Sequence, residues 1–247
     1  MDILAGDING ALERLSHLVE GMRQVSNDIA HELKSPLNRL KINLETARKK
    51  QAKGKAVSKE LDASLKEADG INDTFAALLR IAQIESGTRK ARFATVDLNE
   101  VMRDVTEVYT DVAQDAGMTL NFDPQAVAAP IWGDRDLLTQ MSANLVENCI
   151  RHCQQGAAIM VVLDSDVKHS RLTITDNGPG IPQAERENVL RRLYRLEQSR
   201  TTPGSGLGLS LVKAIADLHG ATLVLDDNHP GLRATLDFAA IKSTANA

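Results

Sequence analysis

A run of regularly spaced apolar residues near the amino terminus constrains the fold more than any other feature of this sequence. From Ile8 to Leu40, apolar side chains recur mainly at alternating steps of four and three, the heptad pattern of a helix packed in a bundle. The spacing predicts one long helix over residues 1–50 and a second from Leu61 to about Gly87. Because neither helix covers its own apolar seam, an antiparallel hairpin that pairs with a second copy into a four-helix bundle is predicted. The seam of the second helix comprises Leu61, Leu65, Ala68, Asn72, Phe75, Leu79 and Ala82.

His31 lies off this seam. If the apolar residues take the a and d positions, His31 falls on the outer face of the helix, where no packing requirement explains a histidine. Glu32 follows directly, and Ser35 lies one turn further along the same face. Pro36 interrupts the helical hydrogen bonds just below the histidine. His31 is therefore a candidate nucleophile, with Glu32 as a candidate proton acceptor.

The pattern changes at Gly87, after which short alternating segments predict strands. Asp97 opens a helix with a capping box, and Asp134 caps another that continues to about Cys153. Mixed strands and helices predict an α/β sandwich, so the whole chain is expected to be α+β, a helical hairpin followed by this sandwich. The predicted strands cover 93–96, 119–122, 131–132, 158–163, 171–175, 221–225 and 232–238, with a further helix over 207–218.

One face of the helix after Asp134 is polar. Asn144, Asn148, Arg151 and His152 share this face, while the other face is apolar. Buried side-chain amides are costly without a partner, so the face indicates a ligand. Asn148 could offer an amide oxygen to Mg²⁺, and Arg151 could bind phosphate through two nitrogens.

Two glycine-containing segments follow. Asp176 precedes Gly178 and Gly180, which places a carboxylate beside a backbone that a flat ring can approach; a plain surface turn is the alternative. The run Gly204-Ser205-Gly206-Leu207-Gly208 opens a helix, and backbone N–H groups at a helix N-terminus bind anions. A dinucleotide-binding fingerprint would require a preceding strand, which this run lacks.

Taken in order, these motifs resemble those of the sensor histidine kinases. The histidine box is similar to the family's phospho-acceptor box, and Arg192-Leu193-Tyr194-Arg195 is similar to the box in its mobile lid. Leu190, Leu193 and His152 replace aromatic residues that are frequent in the family. The resemblance extends from about residue 6 to 240. Its boxes cover residues 31–37, 144–152, 175–182, 192–195 and 204–211.

The resemblance implies a domain organisation and an activity. A signalling helix would occupy residues 1–24, a dimerisation and phosphotransfer domain 25–87, and an ATP-binding domain of the Bergerat (GHKL) type 88–247. The chain would be a homodimeric protein histidine kinase that phosphorylates His31 from ATP. The phosphoryl group would then pass to an aspartate in the receiver domain of a response regulator, which the kinase could also dephosphorylate.

The resemblance also implies the roles of single residues. Asp176 would accept the adenine amino group, Asn148 would ligate Mg²⁺, and Arg195 would approach the γ-phosphate. Glu32 would take the proton from His31, and Ser35 would orient water in the phosphatase reaction. The implied ATP-binding residues are Asn144, Asn148, Arg151, His152, Asp176, Gly178, Gly180, Arg195, Gly204, Ser205, Gly206, Leu207 and Gly208.

Two other functions fit parts of the sequence. A water-hydrolysing ATPase of the same fold would use a glutamate four residues before the Mg²⁺-binding asparagine. That position is Asn144, which cannot act as a base, and Glu147 is predicted to point elsewhere. A non-catalytic coiled-coil scaffold would explain the hairpin, but it has no need of the nucleotide motifs.

Composition removes several classes of function. The net charge of −4, with one Trp, two Tyr and four Phe, favours neither nucleic-acid binding nor base stacking. Cys149 and Cys153 are predicted to be small buried thiols of a helix. No apolar run approaches the roughly 20 residues of a membrane span, which predicts a cytoplasmic chain. By resemblance it is the cytoplasmic portion of a membrane-bound receptor.

Overall fold

The computed structural model describes residues 34, 36–85, 87–124, 128–166, 169–197 and 206–239. The chain divides into two compact units, the second of which begins at Gly87. Within the described ranges, no helix combines the length and the hydropathy that a membrane span requires. Several predicted features lie outside the described residues, namely the segment 1–24 and the residues His31, Glu32, Ser35, Gly204 and Ser205.

The first unit contains two helices, α1 over residues 36–51 and α2 over Ser58–Glu85. One ion pair joins the early part of α1 to the middle of α2, and another joins the end of α1 to the start of α2. The two helices therefore run antiparallel, as predicted. The pairs are Arg39 with Glu67 at 2.6 Å and Lys50 with Glu60 at 2.5 Å between nitrogen and oxygen.

Helix α2 has two apolar faces, whereas the heptad spacing predicted one. Leu78, Ile81 and Ile84 are buried. The large residues of the predicted seam are exposed instead, and Leu65 exposes 65% of its surface. An exposed apolar stripe at heptad spacing is what one half of a bundle presents to its partner. The stripe comprises Leu61, Leu65, Phe75 and Leu79.

The second unit is built on a five-stranded mixed sheet beside a separate two-stranded one. In chain order the strands are β1 Ala94–Asp97, β2 Thr119–Phe122, β3 Pro130–Gly133, β4 Ala158–Ser165, β5 His169–Asp176, β6 Thr222–Asp227 and β7 Leu232–Ala239. The larger sheet has the order β2-β4-β5-β7-β6, with β2 parallel to β4 and the remaining pairs antiparallel. Strands β1 and β3 form the antiparallel pair.

Burial alternates along the strands, which leaves one face of the sheet for the core. In β4, Ile159, Val161 and Leu163 are buried, and the residues between them are exposed. The alternation follows from the two-residue period of a strand. Helix α4 packs on β5 and contacts the other two helices, which confirms the predicted α/β sandwich. The helices are α3 Leu98–Asp115, α4 Arg135–His152 and α5 Gly208–Leu218.

Asp97 and Asp134 begin α3 and α4, as the capping signals predicted. The Asp97 carboxylate accepts the N–H of Asn99 at 2.9 Å, and that of Asp134 accepts the N–H of Leu137 at 3.3 Å. Gly117 follows the end of α3 with φ +71°, a conformation that glycine adopts without strain. The cap at Asp134 fixes where α4 begins and therefore which of its residues share a face.

His219, which follows α5, ties this helix to the start of α4. Its Nε2 accepts the N–H of Asp134 at 3.1 Å, and its Nδ1–H donates to the carbonyl of Ile215 at 2.7 Å. This pattern requires a neutral imidazole. The ring stacks on Phe93 with centroids 4.7 Å apart. Burial is the main reason that the pKa of His219 lies below its ordinary value.

Acidification is expected to destabilise the second unit through His219. Because its pKa is lower in the folded chain, the stability that it contributes is fully present above the unfolded pKa of about 6.5. That stability is lost as the pH falls through the folded pKa, with a slope of at most about 1.4 kcal/mol per pH unit for one proton. Urea unfolding between about pH 7.5 and 5 should show a shallower pH dependence for His219→Gln than for wild type. The exposed His229, changed to Asn, serves as the control and should keep the wild-type slope; identical slopes in all three proteins would contradict the assignment.

Candidate functional site

The end of β5, helix α4 and the start of α5 surround a cavity of about 290 Å³ in the second unit. The segment 189–196 closes another side. Most of the residues singled out in the sequence meet here, although they come from distant parts of the chain. Those that line the cavity are Asn144, Asn148, Arg151, His152, Asp176, Gly180, Arg195, Gly206 and Gly208. Gly178 and Leu207 were also predicted but do not line it; Leu207 is buried beneath the start of α5.

Helix α4 supplies the polar wall. The side-chain nitrogen of Asn144 donates to the carbonyl of Gln140 at 3.0 Å. Its Oδ1 lies 3.8 Å from where a Cβ on Gly208 would stand, so the amide oxygen faces the first turn of α5. Asn148 and Arg151 follow at helical spacing on the same wall. The Asn144 amide oxygen thus faces the N-terminus of α5, where backbone N–H groups favour an anion, and Asn148 and Arg151 line the same cavity.

Asp176 is the last residue of β5 and is only 5% exposed. Its Oδ1 accepts the N–H of Gly178 at 2.9 Å and the N–H of Leu232 at 3.2 Å. Gly178 therefore contributes through its backbone donor and not as a wall of the cavity. The two donors fix the orientation of a buried carboxylate at the cavity surface, where it can accept a hydrogen bond from a ligand.

The turn between β6 and β7 packs directly behind Asp176. The side-chain amide of Asn228 donates to the Asp176 carbonyl at 2.8 Å. Gly231 has φ +113°, and a Cβ there would lie 1.8 Å from the same carbonyl oxygen. A side chain at this position cannot fit without moving β5. Nothing in the sequence pattern singled out this turn, because its role depends on a contact between strands far apart in the chain.

Gly231→Ala is expected to destabilise the second unit and to weaken any ligand binding that uses Asp176. The left-handed backbone alone costs a non-glycine residue about 1–2 kcal/mol, and here a collision with backbone atoms is added. Gly156→Ala is a matched control, because Gly156 also has positive φ (+87°) but has no neighbouring atom within 4 Å of the new Cβ. Thermal unfolding should therefore show a larger loss for Gly231→Ala; equal losses would mean that backbone strain alone explains the effect.

The segment that follows Ile181 is anchored to the sheet by Arg186. Its Nε donates to the Ile181 carbonyl at 3.2 Å, and its Nη1 lies 2.8 Å from Asp226 on β6. The Nη2 atom lies 3.5 Å from Asp227. The Arg186 side chain is only 16% exposed, whereas the Asp226 side chain is 64% exposed. The beginning of the segment is therefore fixed to an edge strand.

The far part of the segment is held at the second glycine run. The Tyr194 hydroxyl donates to Glu185 at 2.5 Å, and the N–H of Leu193 donates to the carbonyl of Gly206 at 3.0 Å. A Cβ on Gly206 would lie 2.9 Å from the Arg195 side chain. The close approach explains a glycine at this position and brings Arg195 to the cavity.

Glu147 also lines the cavity, so the prediction that it points elsewhere is wrong. The Tyr109 hydroxyl of α3 donates to Glu147, whose other oxygen lies 4.0 Å from Arg151. Burial and this carboxylate raise the pKa of Tyr109 to about 12. The helical projection failed because it considered α4 alone, whereas the long Glu147 side chain extends between α3 and the cavity.

Cys153 was predicted to be buried inside the helix, and that prediction is also wrong. Cys149 is buried, but Cys153 follows the last residue of α4 with an extended backbone (φ −84°, ψ 160°), and it lines the cavity half-buried. His152 lies beside it. Burial, Arg151 and Arg195 lower the pKa of His152, so this ring is favoured in its neutral form.

Comparison with family models identifies both parts of the chain. The "His Kinase A (phospho-acceptor) domain" matches residues 21–87. The "Histidine kinase-, DNA gyrase B-, and HSP90-like ATPase" domain matches residues 133–241, which include the cavity residues of α4, β5 and α5.

Individual relatives agree with these matches. The chain is 32% identical over 228 residues to the signal transduction histidine-protein kinase/phosphatase MprB of Mycobacterium sp. (strain KMS), covering 90% of this chain and 44% of that protein. This chain thus spans less than half the length of this curated relative. A structure of the mycobacterial sensor histidine kinase MprB is 30% identical, with a TM-score of 0.53 over 60% of this chain and 98% of the other. The Acinetobacter baumannii histidine kinase AdeS, at 21% identity, shares the fold with a TM-score of 0.64 over 85% of this chain and 98% of the other.

Proposed function

This chain belongs to the sensor histidine kinases, and from that membership we propose that it transfers the terminal phosphoryl group of ATP to His31 and then to an aspartate of a response regulator. The observation that carries the proposal is the single cavity shared by Asp176, the polar wall of α4 and the N-terminus of α5. A buried acceptor at one end and anion-binding groups at the other match the two ends of a nucleoside triphosphate.

The base would bind at the end of the cavity formed by Asp176. Its exocyclic amino group would donate to the carboxylate, which is already oriented by two backbone N–H groups. Apolar side chains of Ile181, Val189 and Leu232 also line the cavity and can pack against the ring. The phosphates would then extend to the N-terminus of α5, with Arg151 and Arg195 within the same cavity.

The donor set fits Mg²⁺ that arrives with the nucleotide. In the part of the chain that the structure describes, no group of three or more His, Cys, Asp and Glu side chains could hold a metal by itself. Mg²⁺ keeps several waters and is commonly held by one or two protein oxygens together with phosphates. Asn148, with Asn144 one turn away, would supply the protein oxygen. The ion would neutralise charge on the transferring phosphoryl group.

Asn148→Ala is therefore expected to raise the Mg²⁺ concentration needed for half-maximal autophosphorylation by at least about tenfold. The side chain lies at the cavity surface, so its removal should leave the melting temperature almost unchanged. A Mg²⁺ titration at saturating ATP measures the effect. An unchanged Mg²⁺ requirement would remove Asn148 from the ligand set.

The transfer itself would depend on His31, Glu32 and Ser35, which lie outside the described residues. At pH 7 an ordinary histidine is largely neutral and has a nucleophilic ring nitrogen. The nitrogen would attack the γ-phosphorus, the bond to the ADP oxygen would break, and Glu32 would take the proton from the other ring nitrogen. Ser35 would orient a water molecule in the reverse, phosphatase reaction.

A water-hydrolysing ATPase is less well supported. The residue in the position of the catalytic glutamate is Asn144, whose amide nitrogen is bonded to Gln140. Glu147 is the only acidic residue of α4 at the cavity, but it accepts from Tyr109 and lies 4.0 Å from Arg151. A non-catalytic scaffold would leave the shared cavity without a purpose.

The exposed stripe on α2 supports a homodimer through the helical hairpin. A receiver domain of a response regulator is the partner that accepts the phosphoryl group, and the chain would act on the cytoplasmic side, where ATP and such regulators are found. A sensor portion outside this chain would provide the connection to a membrane. No nucleic acid is needed for this function.

Incubation with [γ-³²P]ATP and Mg²⁺ tests the proposal. Label should appear on the chain, survive alkali and be lost in acid, as expected for phosphohistidine. It should then move to a receiver domain. Acid-stable label on the chain, or ATP hydrolysis without any labelled protein, would contradict the histidine kinase assignment.

A further inference from the structure

Two thiols lie near the buried carboxylate of Asp176. Cys149 lies in the last turn of α4, and Cys153 is the residue at which this helix ends. Burial is the main reason that the pKa values of both thiols are raised, and the charge of the Asp176 carboxylate raises them further. Cys149 is 5% exposed and does not line the cavity, whereas Cys153 is half-buried and lines it. Only the second thiol can therefore meet a ligand directly.

The first glycine segment is shaped around Cys153. A Cβ on Gly178 would lie 2.5 Å from the Cys153 sulfur and 3.1 Å from Oδ1 of Asp176. The sulfur, the carboxylate and the backbone of Gly178 thus occupy one small region at the cavity surface. A side chain at residue 178 would therefore collide with the Cys153 sulfur, which explains the glycine at this position.

A weak donor such as the Cys153 thiol leaves the Asp176 carboxylate available to accept a hydrogen bond from a ligand. Two backbone N–H groups already bond to Oδ1 of Asp176, and a carboxylate accepts about four hydrogen bonds in total. A thiol S–H is a weak donor, so the Cys153 thiol beside the carboxylate would give way to a stronger N–H donor of a ligand.

We propose that Cys153 is a specificity-determining residue of this cavity, and that a small thiol-directed reagent attached to it blocks nucleotide binding. The inference rests on the proposed function, since it takes the ligand to be ATP with its amino group on Asp176. An added methylthio group on the sulfur would stand between Asp176 and the purine edge.

The reactivity of this thiol is low and depends on pH. Burial, followed by the Asp176 carboxylate, raises the pKa of Cys153 to about 12. Cys149 is buried more deeply, and its pKa is raised well above the ordinary value. The thiolate is the reacting species, so the rate of modification should rise about tenfold per pH unit between pH 7 and 10. An ordinary thiol of pKa near 8.5 would level off within that range.

The test uses methyl methanethiosulfonate on the full chain. The thiolate of Cys153 attacks the sulfenyl sulfur, the S–SO₂ bond breaks, and methanesulfinate leaves while the thiol proton goes to solvent. Mass spectrometry should find one methylthio group on Cys153, and titration with a fluorescent ATP analogue should show at least about a tenfold loss of affinity. Dithiothreitol should restore binding, and saturating ATP should slow the modification.

Two substitutions of Cys153 distinguish the effect of its hydrogen-bond donor from the effect of its size. Cys153→Ser keeps a donor and should lose less affinity than Cys153→Val, which has none. Cys153→Ser should also remove the sensitivity to the reagent. The adenine preference, measured as the ratio of GTP to ATP dissociation constants, should fall by roughly threefold to tenfold in Cys153→Val. In Cys149→Ser, any methylthio group must be on Cys153.

The outcomes of these experiments distinguish failure of the inference about Cys153 from failure of the proposed function. If unmodified wild type does not bind ATP, the proposed function fails. If wild type binds ATP but Cys153→Val matches it in affinity and preference, the inference about Cys153 is wrong and the proposed function stands. The same conclusion follows if the methylthio-modified chain binds ATP normally.

Discussion

Replacing His31 with glutamine is expected to abolish acid-labile phosphorylation of the chain, with ATP affinity within about twofold of wild type. Glutamine keeps a polar side chain but has no nucleophilic ring nitrogen. The cavity residues all belong to the unit that begins at Gly87, so a change in the acceptor box should not alter them. Labelling with [γ-³²P]ATP and a separate nucleotide titration measure the two quantities.

His169→Gln is the matched control for this change. His169 is exposed at the start of β5 and hydrogen-bonds to Asp237 at 3.0 Å, away from the cavity residues. It should be labelled as fast as wild type. If His31→Gln still accumulates acid-labile phosphate, another histidine is the acceptor, and loss of label in both variants would point to a general defect.

Asp176→Asn should weaken ATP binding roughly 5- to 150-fold, which corresponds to about 1–3 kcal/mol for an unsatisfied buried polar pair. The change preserves size, and one oxygen can still accept the N–H groups of Gly178 and Leu232. The second carboxylate oxygen is replaced by an NH₂ group. This donor would face the adenine amino group, which is also a donor. A nucleotide titration measures the loss of affinity, and circular dichroism checks the fold.

The exposed Asp164 on β4 provides the control, since Asp164→Asn removes the same charge from the same unit without touching the cavity. Its affinity for ATP should match that of wild type. A second measurement uses GTP, whose base carries a carbonyl oxygen where adenine carries its amino group. If Asp176→Asn weakened GTP as much as ATP, the carboxylate would not read the amino group of the base.

The elements that could be predicted from the sequence are those set by local rules. Asp97 and Asp134 cap helices because each carboxylate accepts a hydrogen bond from a backbone N–H of the first helical turn. Burial along β4 follows the two-residue period of a strand. The positions of Asn144, Arg151 and Asp176 on one cavity were also anticipated, since each lies within a recognisable motif. These inferences need only residues a few positions apart.

The features that were missed depend on tertiary contacts and on irregular backbone, which residue spacing does not reveal. Gly231 supports Asp176 from another strand, and Glu185 holds Tyr194 within a segment that has no regular pattern. Cys153 was wrongly predicted to be buried because an ideal helix would continue through it, whereas the backbone turns to an extended conformation there. The second apolar face of α2 was also missed, because the heptad spacing already accounted for one complete apolar face.

The position of Asp176 in the sheet has a consequence for the thermodynamics of ligand association. Asp176 is the last residue of β5, the central strand of the larger sheet. This strand is paired with β4 on one side and β7 on the other. The Asp176 carboxylate is also oriented by backbone N–H groups. The conformational entropy of this acceptor is therefore lost when the domain folds and not when a ligand arrives. A ligand that binds there gains the full hydrogen bond without ordering the group that accepts it.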